Sequence, residues 1–307
     1  MFLKLKNTTI GYKTPLIKGV ETDLDLGEIC LLIGNNGVGK TTLIKSILNQ
    51  TPVLEGNIFI DEKKVETLAN KEIAEKVAVV FSKSQIPANY TLTDLVALGK
   101  YIHYPYYFEL SADDKDEVDE IIESLNLNQY RDFPLQKLSD GNLQKAFIGR
   151  ALAQNSPMII LDEPTTHLDE ENKIIILKLL RKLAKTQNKL ILFSSHDWRL
   201  SKEFADKIWL VNDGILDAGI TEDILLKHDE LLNPNLFHFN EAFVAPQILA
   251  PVLQKEMLFS FLQKNASKNL STLKFEFKDT FWLISGENFQ KKCNSFSEVA
   301  DLIVNLE

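Results

Sequence analysis

Residues 29–41 read Ile29-Cys30-Leu31-Leu32-Ile33-Gly34-Asn35-Asn36-Gly37-Val38-Gly39-Lys40-Thr41, and this stretch decides the fold. The five apolar residues predict a strand covered on both faces. The next eight satisfy G-x-x-x-x-G-K-[ST], and Thr42–Leu48 continues with helical spacing. Glycines let backbone N–H groups turn inward around phosphate oxygens, and the helix N-terminus adds a favourable dipole. Lys40 is expected to reach the β- and γ-phosphates of a nucleotide, and Thr41 to ligate Mg2+. The candidates for holding the nucleotide are Gly34, Asn35, Asn36, Gly37, Val38, Gly39, Lys40, Thr41 and Thr42.

Two more continuous apolar runs, Met158–Leu161 and Leu190–Phe193, have the same character. Each leads into polar residues and then a helical pattern, the rhythm of an α/β fold. The first runs directly into Asp162-Glu163. Beside a phosphate loop, Asp162 is expected to hold Mg2+ through water, and Glu163 to orient and polarise an attacking water. Phe2–Lys6, Leu24–Gly27 and Gly56–Ile60 read as strands of a half-exposed antiparallel sheet. Asp113–Leu127 and Leu143–Ala153 have helical spacing, with Asp113-Asp114 placed to cap the first. These helices form a subdomain at about 83–156, inserted between core strands.

Past residue 230 the pattern changes. Asn233-Pro234-Asn235, Pro246 and Pro251 punctuate the chain. Val252–Gln263 and Ser297–Leu306 read as helices, and Leu273–Lys278 and Phe281–Ser285 as paired strands. The chain therefore divides into a domain over 1–230 and a small α+β domain over 231–307. Trp282, Cys293, Phe275, Phe277, Phe281, Phe289 and Phe296 are the expected small core of the latter.

The 307 residues carry a net charge of −9, with 45% hydrophobic and 25% charged residues. A nucleic-acid groove needs a basic stripe, and no Lys/Arg cluster supplies one. Cys30 and Cys293 stand far apart without CxxC spacing, which argues against zinc and a disulfide framework. No apolar stretch approaches the roughly 18–20 residues that span a bilayer. Met1–Lys6 lacks the pattern of a signal peptide. A cytoplasmic protein is expected.

Leu138-Ser139-Asp140-Gly141-Asn142, with Gln144 and Lys145 behind it, completes a recognisable set. The sequence resembles the ATP-binding subunit of an ABC transporter, whose signature LSGGQ stands here as LSDGN. The resemblance covers about residues 1–228. It implies a P-loop NTPase with an antiparallel β subdomain and the inserted helical subdomain. It implies ATP and Mg2+, hydrolysis of ATP, and a homodimer in which Ser139 and Gly141 of one copy meet the γ-phosphate held by the other. Tyr12 matches the aromatic residue that stacks on adenine, Asp169 the loop that speaks across the dimer, and His196 the histidine at the γ-phosphate. The family's glutamine after the strand Val77–Phe81 is displaced. Ser82 stands at the counted position and Gln85 three residues later, so either the loop is rearranged for Gln85 or Ser82 reaches Mg2+ through water.

The segment Thr91–Tyr101, ending Leu95-Val96-Ala97-Leu98-Gly99-Lys100-Tyr101, and the aromatic Tyr104-Pro105-Tyr106-Tyr107 are similar to importers of iron–siderophore complexes, haem and cobalamin. The resemblance thus implies two transmembrane permease subunits as partners, and a substrate-binding protein indirectly. It implies a peripheral position on the cytoplasmic face of the inner (plasma) membrane. The same machine driving an exporter or lipid transporter, or a non-transport ABC ATPase, are the alternative functions.

Overall fold

The computed structural model describes residues 1–82, 89–104, 109–166, 168–195, 198–228, 243–265, 270–286 and 289–306. The chain opens with an antiparallel pair, β1 (Leu3–Gly11) and β2 (Pro15–Leu24). Leu3 and Leu5 are buried while Lys6 is exposed, the period of a sheet with one covered face. β3 (Ile29–Gly34) is apolar throughout, and α1 (Lys40–Ile47) follows the glycine-rich loop. β4 (Glu55–Ile60) and β5 (Lys63–Lys64) extend the first sheet in the order β2-β1-β4-β5. Leu3 pairs with Leu24 on one side and Ile60 on the other, so the register stacks leucine and isoleucine on the inner face. Leu43, Ile44 and Ile47 of α1 enter the same core.

After α2 (Asn70–Lys76), strand β6 (Val77–Val80) joins a second sheet. The helical segment follows, with α3 (Leu92–Ala97), α4 (Ala112–Ser124) and α5 (Asp140–Ala153). The chain then returns through β7 (Met158–Leu161), α6 (Glu170–Gln187), β8 (Leu190–Ser194), α7 (Trp198–Ser201), β9 (Lys207–Asn212), β10 (Ile215–Ile220) and α8 (Thr221–Lys227). The sheet order is β10-β9-β3-β8-β7-β6. Every pairing is parallel except β9 with β10. The three apolar runs are therefore adjacent strands, and their carboxyl ends emerge on one edge. In open parallel sheets that edge is where ligands bind.

Several local readings are corrected. Leu24 ends β2, and Asp25-Leu26-Gly27 is a turn in which the Glu28 carboxylate accepts the Asp25 N–H at 2.8 Å. Ser111, not Asp113 or Asp114, caps α4, accepting the Asp114 N–H at 3.2 Å on its hydroxyl. The two aspartates lie in the first turn, where the helix dipole favours them. α5 starts at Asp140 rather than Leu143, because Ser139 caps it and brings Asp140-Gly141-Asn142 inside the helix. Lys100 is buried and pairs with Asp114 at 3.1 Å and with Glu117, tying the 98–103 turn to α4. Tyr104 also donates to Asp114. Pro105, Tyr106 and Tyr107 lie outside the described residues.

The chain divides into two compact units, Met1–Ile224 and Leu225–Glu307. In the second, β11 (Gln247–Leu249), β12 (Lys274–Lys278), β13 (Phe281–Gly286) and β14 (Phe289–Cys293) form a sheet in that order, with helices Val252–Asn265 and Phe296–Leu306. Phe275, Trp282, Ile284, Cys293, Phe259 and Leu262 build its core, with Phe277, Phe289 and Phe296 packed against it. Asn233-Pro234-Asn235 lies outside the described residues.

Candidate nucleotide-binding site

The loop 34–41 turns where its glycines allow it, with φ of 82° at Gly37 and 111° at Gly39. Gly34 is needed for a different reason. A methyl group there would lie 2.6 Å from the Val211 carbonyl oxygen of β9, so only a glycine lets the loop leave the sheet at this point.

Lys40 folds back into the loop. Its Nζ donates to the carbonyl oxygens of Gly34 at 2.7 Å and Asn35 at 3.1 Å. Burial lowers its pKa from the ordinary 10.5, and the nearby carboxylates of Glu163 and Asp162 act in the opposite direction. An ammonium held by two neutral carbonyls in a partly dehydrated loop is poised to exchange them for an anion.

The register carries the other half of the site to this loop. Leu31 pairs with Phe193 and Leu161 also pairs with Phe193, so Asp162 and Ser194 stand level with Leu32, and Gly34 ends the adjacent strand two residues further along. Thr41 Oγ1 donates to Asp162 Oδ2 at 3.3 Å. Ser194 Oγ donates to the other oxygen, Oδ1, at 2.8 Å and accepts the Glu163 N–H at 2.9 Å. Asp162 is buried and Ser194 fully so. A hydroxyl and a carboxylate within hydrogen-bond reach are the hard oxygen donors that Mg2+ takes, and these residues fit such an ion.

Glu163 has φ of 57°, in the left-handed region that a non-glycine residue occupies only when its surroundings enforce it. Ser194 holds its N–H, and Thr166 Oγ1 donates to its Oε2 at 3.2 Å. The backbone twist lets Asp162 and Glu163, neighbours in sequence, have different surroundings.

Of the other candidates, Tyr12 lies in the bend between β1 and β2 and is 61% exposed, so its ring is open to a planar partner. Ser82 is exposed just after β6. Ser139 and Gly141 lie at the start of α5, and Asp169 caps α6, accepting the Asn172 N–H at 2.8 Å. Gln85 and His196 lie outside the described residues. Sequence reasoning passed over Ser194 and Thr166. The only signal for Ser194 was a hydroxyl residue ending an apolar run. It also missed Arg150, whose Nη2 donates to the Val79 carbonyl at 2.9 Å and so ties α5 to β6.

The ABC transporter family model matches residues 17–166. An uncharacterized ABC transporter ATP-binding protein of Methanocaldococcus jannaschii is 35% identical over 233 residues, covering 75% of this chain and 80% of that one. The chain belongs to the ABC transporter ATP-binding proteins.

Other members of the family are similar over the same span. The petrobactin import ATP-binding protein FpuD of Bacillus anthracis is 31% identical over 237 residues, covering 76% of this chain and 86% of that one. Among solved structures, an inward-facing ABC transporter of metal-chelate type aligns with a TM-score of 0.66 at 28% identity, over 73% of this chain and 85% of that one. A dimeric bacterial ABC transporter cassette aligns with a TM-score of 0.63 at 27% identity, over 71% of this chain and 98% of that one. The ABC cassette is an ATP-binding fold. Among the described residues, no helix is long and apolar enough to cross a membrane.

Proposed function

We propose that this chain hydrolyses ATP to drive uptake of an iron chelate through a membrane permease. The observation that carries the reading is the junction of loop and strand ends, where Thr41 meets Asp162 at 3.3 Å with Lys40 and Glu163 alongside. The choice of cargo is supported by relatives named for import of petrobactin and of iron(3+)-hydroxamate, and by the likeness to a transporter of metal-chelate type.

In this reading the backbone of 34–39, Lys40 and Thr42 hold the phosphates of ATP, and Tyr12 stacks on the adenine. Thr41 and Asp162 hold Mg2+, with Ser82 or Gln85 as a further contact to it. The ion supplies charge neutralisation on the phosphates. Glu163 orients a water and accepts its proton as the water oxygen bonds to the γ-phosphorus. The bond to the bridging oxygen breaks, leaving ADP and phosphate. His196 contacts the γ-phosphate. Two copies pair head to tail, so that Ser139 and Gly141 of one close over the nucleotide on Lys40 of the other, and Asp169 faces across the join. Closure moves the helical segments and the two permease subunits coupled to them, with a substrate-binding protein engaged from the far side. The chain acts at the cytoplasmic face of the membrane as a peripheral subunit. Residues 1–230 form the ATPase domain, with a helical subdomain over about 83–156, and 231–307 form a separate small domain.

Glu163→Gln tests this reading. It removes the proton acceptor and leaves Lys40, Thr41 and Asp162 intact. Turnover should fall by about 10²–10⁴, and with Mg-ATP the protein should elute as a dimer in size-exclusion chromatography. A variant that binds ATP and stays monomeric would overturn the paired site. Uptake is tested by reconstitution with the permease, where ATPase activity should rise when the binding protein carries a ferric chelate.

A further inference from the structure

The start of α5 and the start of α6 touch through one side chain. A methyl group built on Gly141 would lie 2.9 Å from Asn172 Oδ1 and 3.0 Å from its Cγ. Gly141 is buried and Asn172 half-buried. The Asn172 amide therefore occupies the space that a side chain at position 141 would need. Its Nδ2 donates to Asp169 Oδ2 at 3.0 Å, while its own backbone N–H donates to Asp169 Oδ1 at 2.8 Å. Both carboxylate oxygens of the α6 cap are thus engaged by one residue. An ordinary N-cap needs only the backbone bond. The extra side-chain bond fixes the amide plane and so fixes which atoms meet Gly141.

Glu163 and Thr166 lie earlier in the same segment. Thr166 N–H donates to the Glu163 carbonyl at 3.2 Å and its hydroxyl to Oε2 at 3.2 Å. Asn172 bonds Asp169 differently, with both its N–H and its side-chain amide on the carboxylate. Thr166 is thus tied to Glu163, and Asn172 to Asp169 further along the same segment and to Gly141 in the first turn of the helix that Ser139 caps.

We propose that Asn172 is a positioning residue that sets the spacing between Ser139–Gly141 and Asp169 within one copy, so that the groups this copy offers to its partner's nucleotide move together with its own Glu163. The inference rests on the paired site proposed above and assigns the coupling between the two sites to one contact. The physical ground is that a packed contact has few arrangements. An amide wedged against a backbone resists sliding, whereas a smaller side chain leaves a gap into which α5 can shift.

Asn172→Ser separates the two roles of the residue. A serine hydroxyl can still serve the Asp169 cap but falls short of Gly141. In the full-length protein this variant should keep the wild-type Tm and the wild-type affinity for a fluorescent ATP analogue on the isolated subunit, because Lys40 and its loop are untouched. The ATP concentration for half-maximal turnover should rise by about fivefold or more, and the Hill coefficient should fall toward one. A second arm reads the contact itself. Gly141→Ala should lose turnover because its methyl meets Asn172, and adding Asn172→Ser should restore part of that loss. Wild-type cooperativity and KM in Asn172→Ser, or no restoration in the double variant, would overturn the inference. The Glu163→Gln dimer assay on otherwise wild-type protein keeps the two proposals distinct. If it gives no dimer, the paired site fails and takes this inference with it. If it gives a dimer while Asn172→Ser behaves as wild type, the Asn172 assignment alone fails.

Discussion

Replacing Ser194 by alanine deletes one oxygen that serves two neighbours. Ser194 is fully buried, so the methyl left behind keeps most of the packing and the change is chiefly one of hydrogen bonds. Its Oγ donates to Asp162 Oδ1 at 2.8 Å, and a hydrogen bond to a charged group contributes about 1.5–3 kcal/mol. The same oxygen accepts the Glu163 N–H at 2.9 Å, and a buried N–H left without a partner costs about 1–3 kcal/mol. The two effects share an atom and overlap, so a loss of about 2–4 kcal/mol is expected. In a unit of 224 residues this lowers Tm by roughly 5–10 °C. The effect on activity follows from the backbone. Glu163 is held at φ 57°, a conformation that costs about 1–3 kcal/mol, and Ser194 is one of the groups that hold it. Released from that bond, the residue relaxes toward an ordinary conformation and its carboxylate leaves the position where it would orient water. We expect kcat to fall at least about tenfold, a part of the 10²–10⁴ attributable to a general base, with little change in KM because the loop 34–41 is intact. Calorimetry of the apoprotein and steady-state ATPase assays measure the two effects. A Tm within about 1 °C of wild type together with kcat within about twofold would refute the reasoning.

Lys40→Ala removes the ammonium that Gly34 and Asn35 hold ready for an anion; binding of a fluorescent ATP analogue and turnover should both be lost, and retained wild-type turnover would end the nucleotide-site assignment. The Asp206 carboxyl is partly buried, which raises its pKa, but Arg181 at 2.6 Å, the Ile29 N–H at 2.9 Å and Lys185 at 3.0 Å together hold it below its ordinary 3.8. Because the folded value lies below the unfolded one, its stabilisation is complete above about pH 3.8 and is lost as pH falls through the folded value. Asp206→Asn should therefore destabilise the protein by about 2–3 kcal/mol at pH 7, and by progressively less as pH drops below 3.8, in urea titrations at several pH values. A gap independent of pH would refute the assignment. Phe275→Ala empties a fully buried position in the second unit at a cost of about 3–5 kcal/mol; the unfolding transition of that unit should move to lower temperature while ATPase activity stays within about twofold of wild type, and parallel loss of both would show that the two units do not act independently.

The amino-acid sequence by itself determined those parts of the protein that rest on neighbours along the chain. The runs Ile29–Ile33, Met158–Leu161 and Leu190–Phe193 are legible as central strands because a strand covered on both faces can carry apolar residues at every position. The loop 34–41 is legible because its conformation requires glycine and its chemistry requires lysine and threonine at fixed offsets. Less regular strands were lost to the same logic. β2 and β10 went unread because they mix polar with apolar residues, and β9 went unread although Ile208–Val211 is itself a continuous buried apolar run. Helix starts were misplaced at α4 and α5 because competing cap residues cluster there, and only the hydrogen bond actually formed distinguishes Ser111 from Asp113. What tertiary structure alone decided is which distant residues share an atom. Sheet order sets β3 between β9 and β8, and register then brings Ser194 to Asp162 and Glu163 and puts the Val211 carbonyl against Gly34. Tertiary structure also sets the Asn172 amide in the space beside Gly141. Local propensity and hydrophobic period report only each element's own conformation and buried face. Partners 31 residues apart, like Glu163 and Ser194, are chosen by the strand pairing that closes the core.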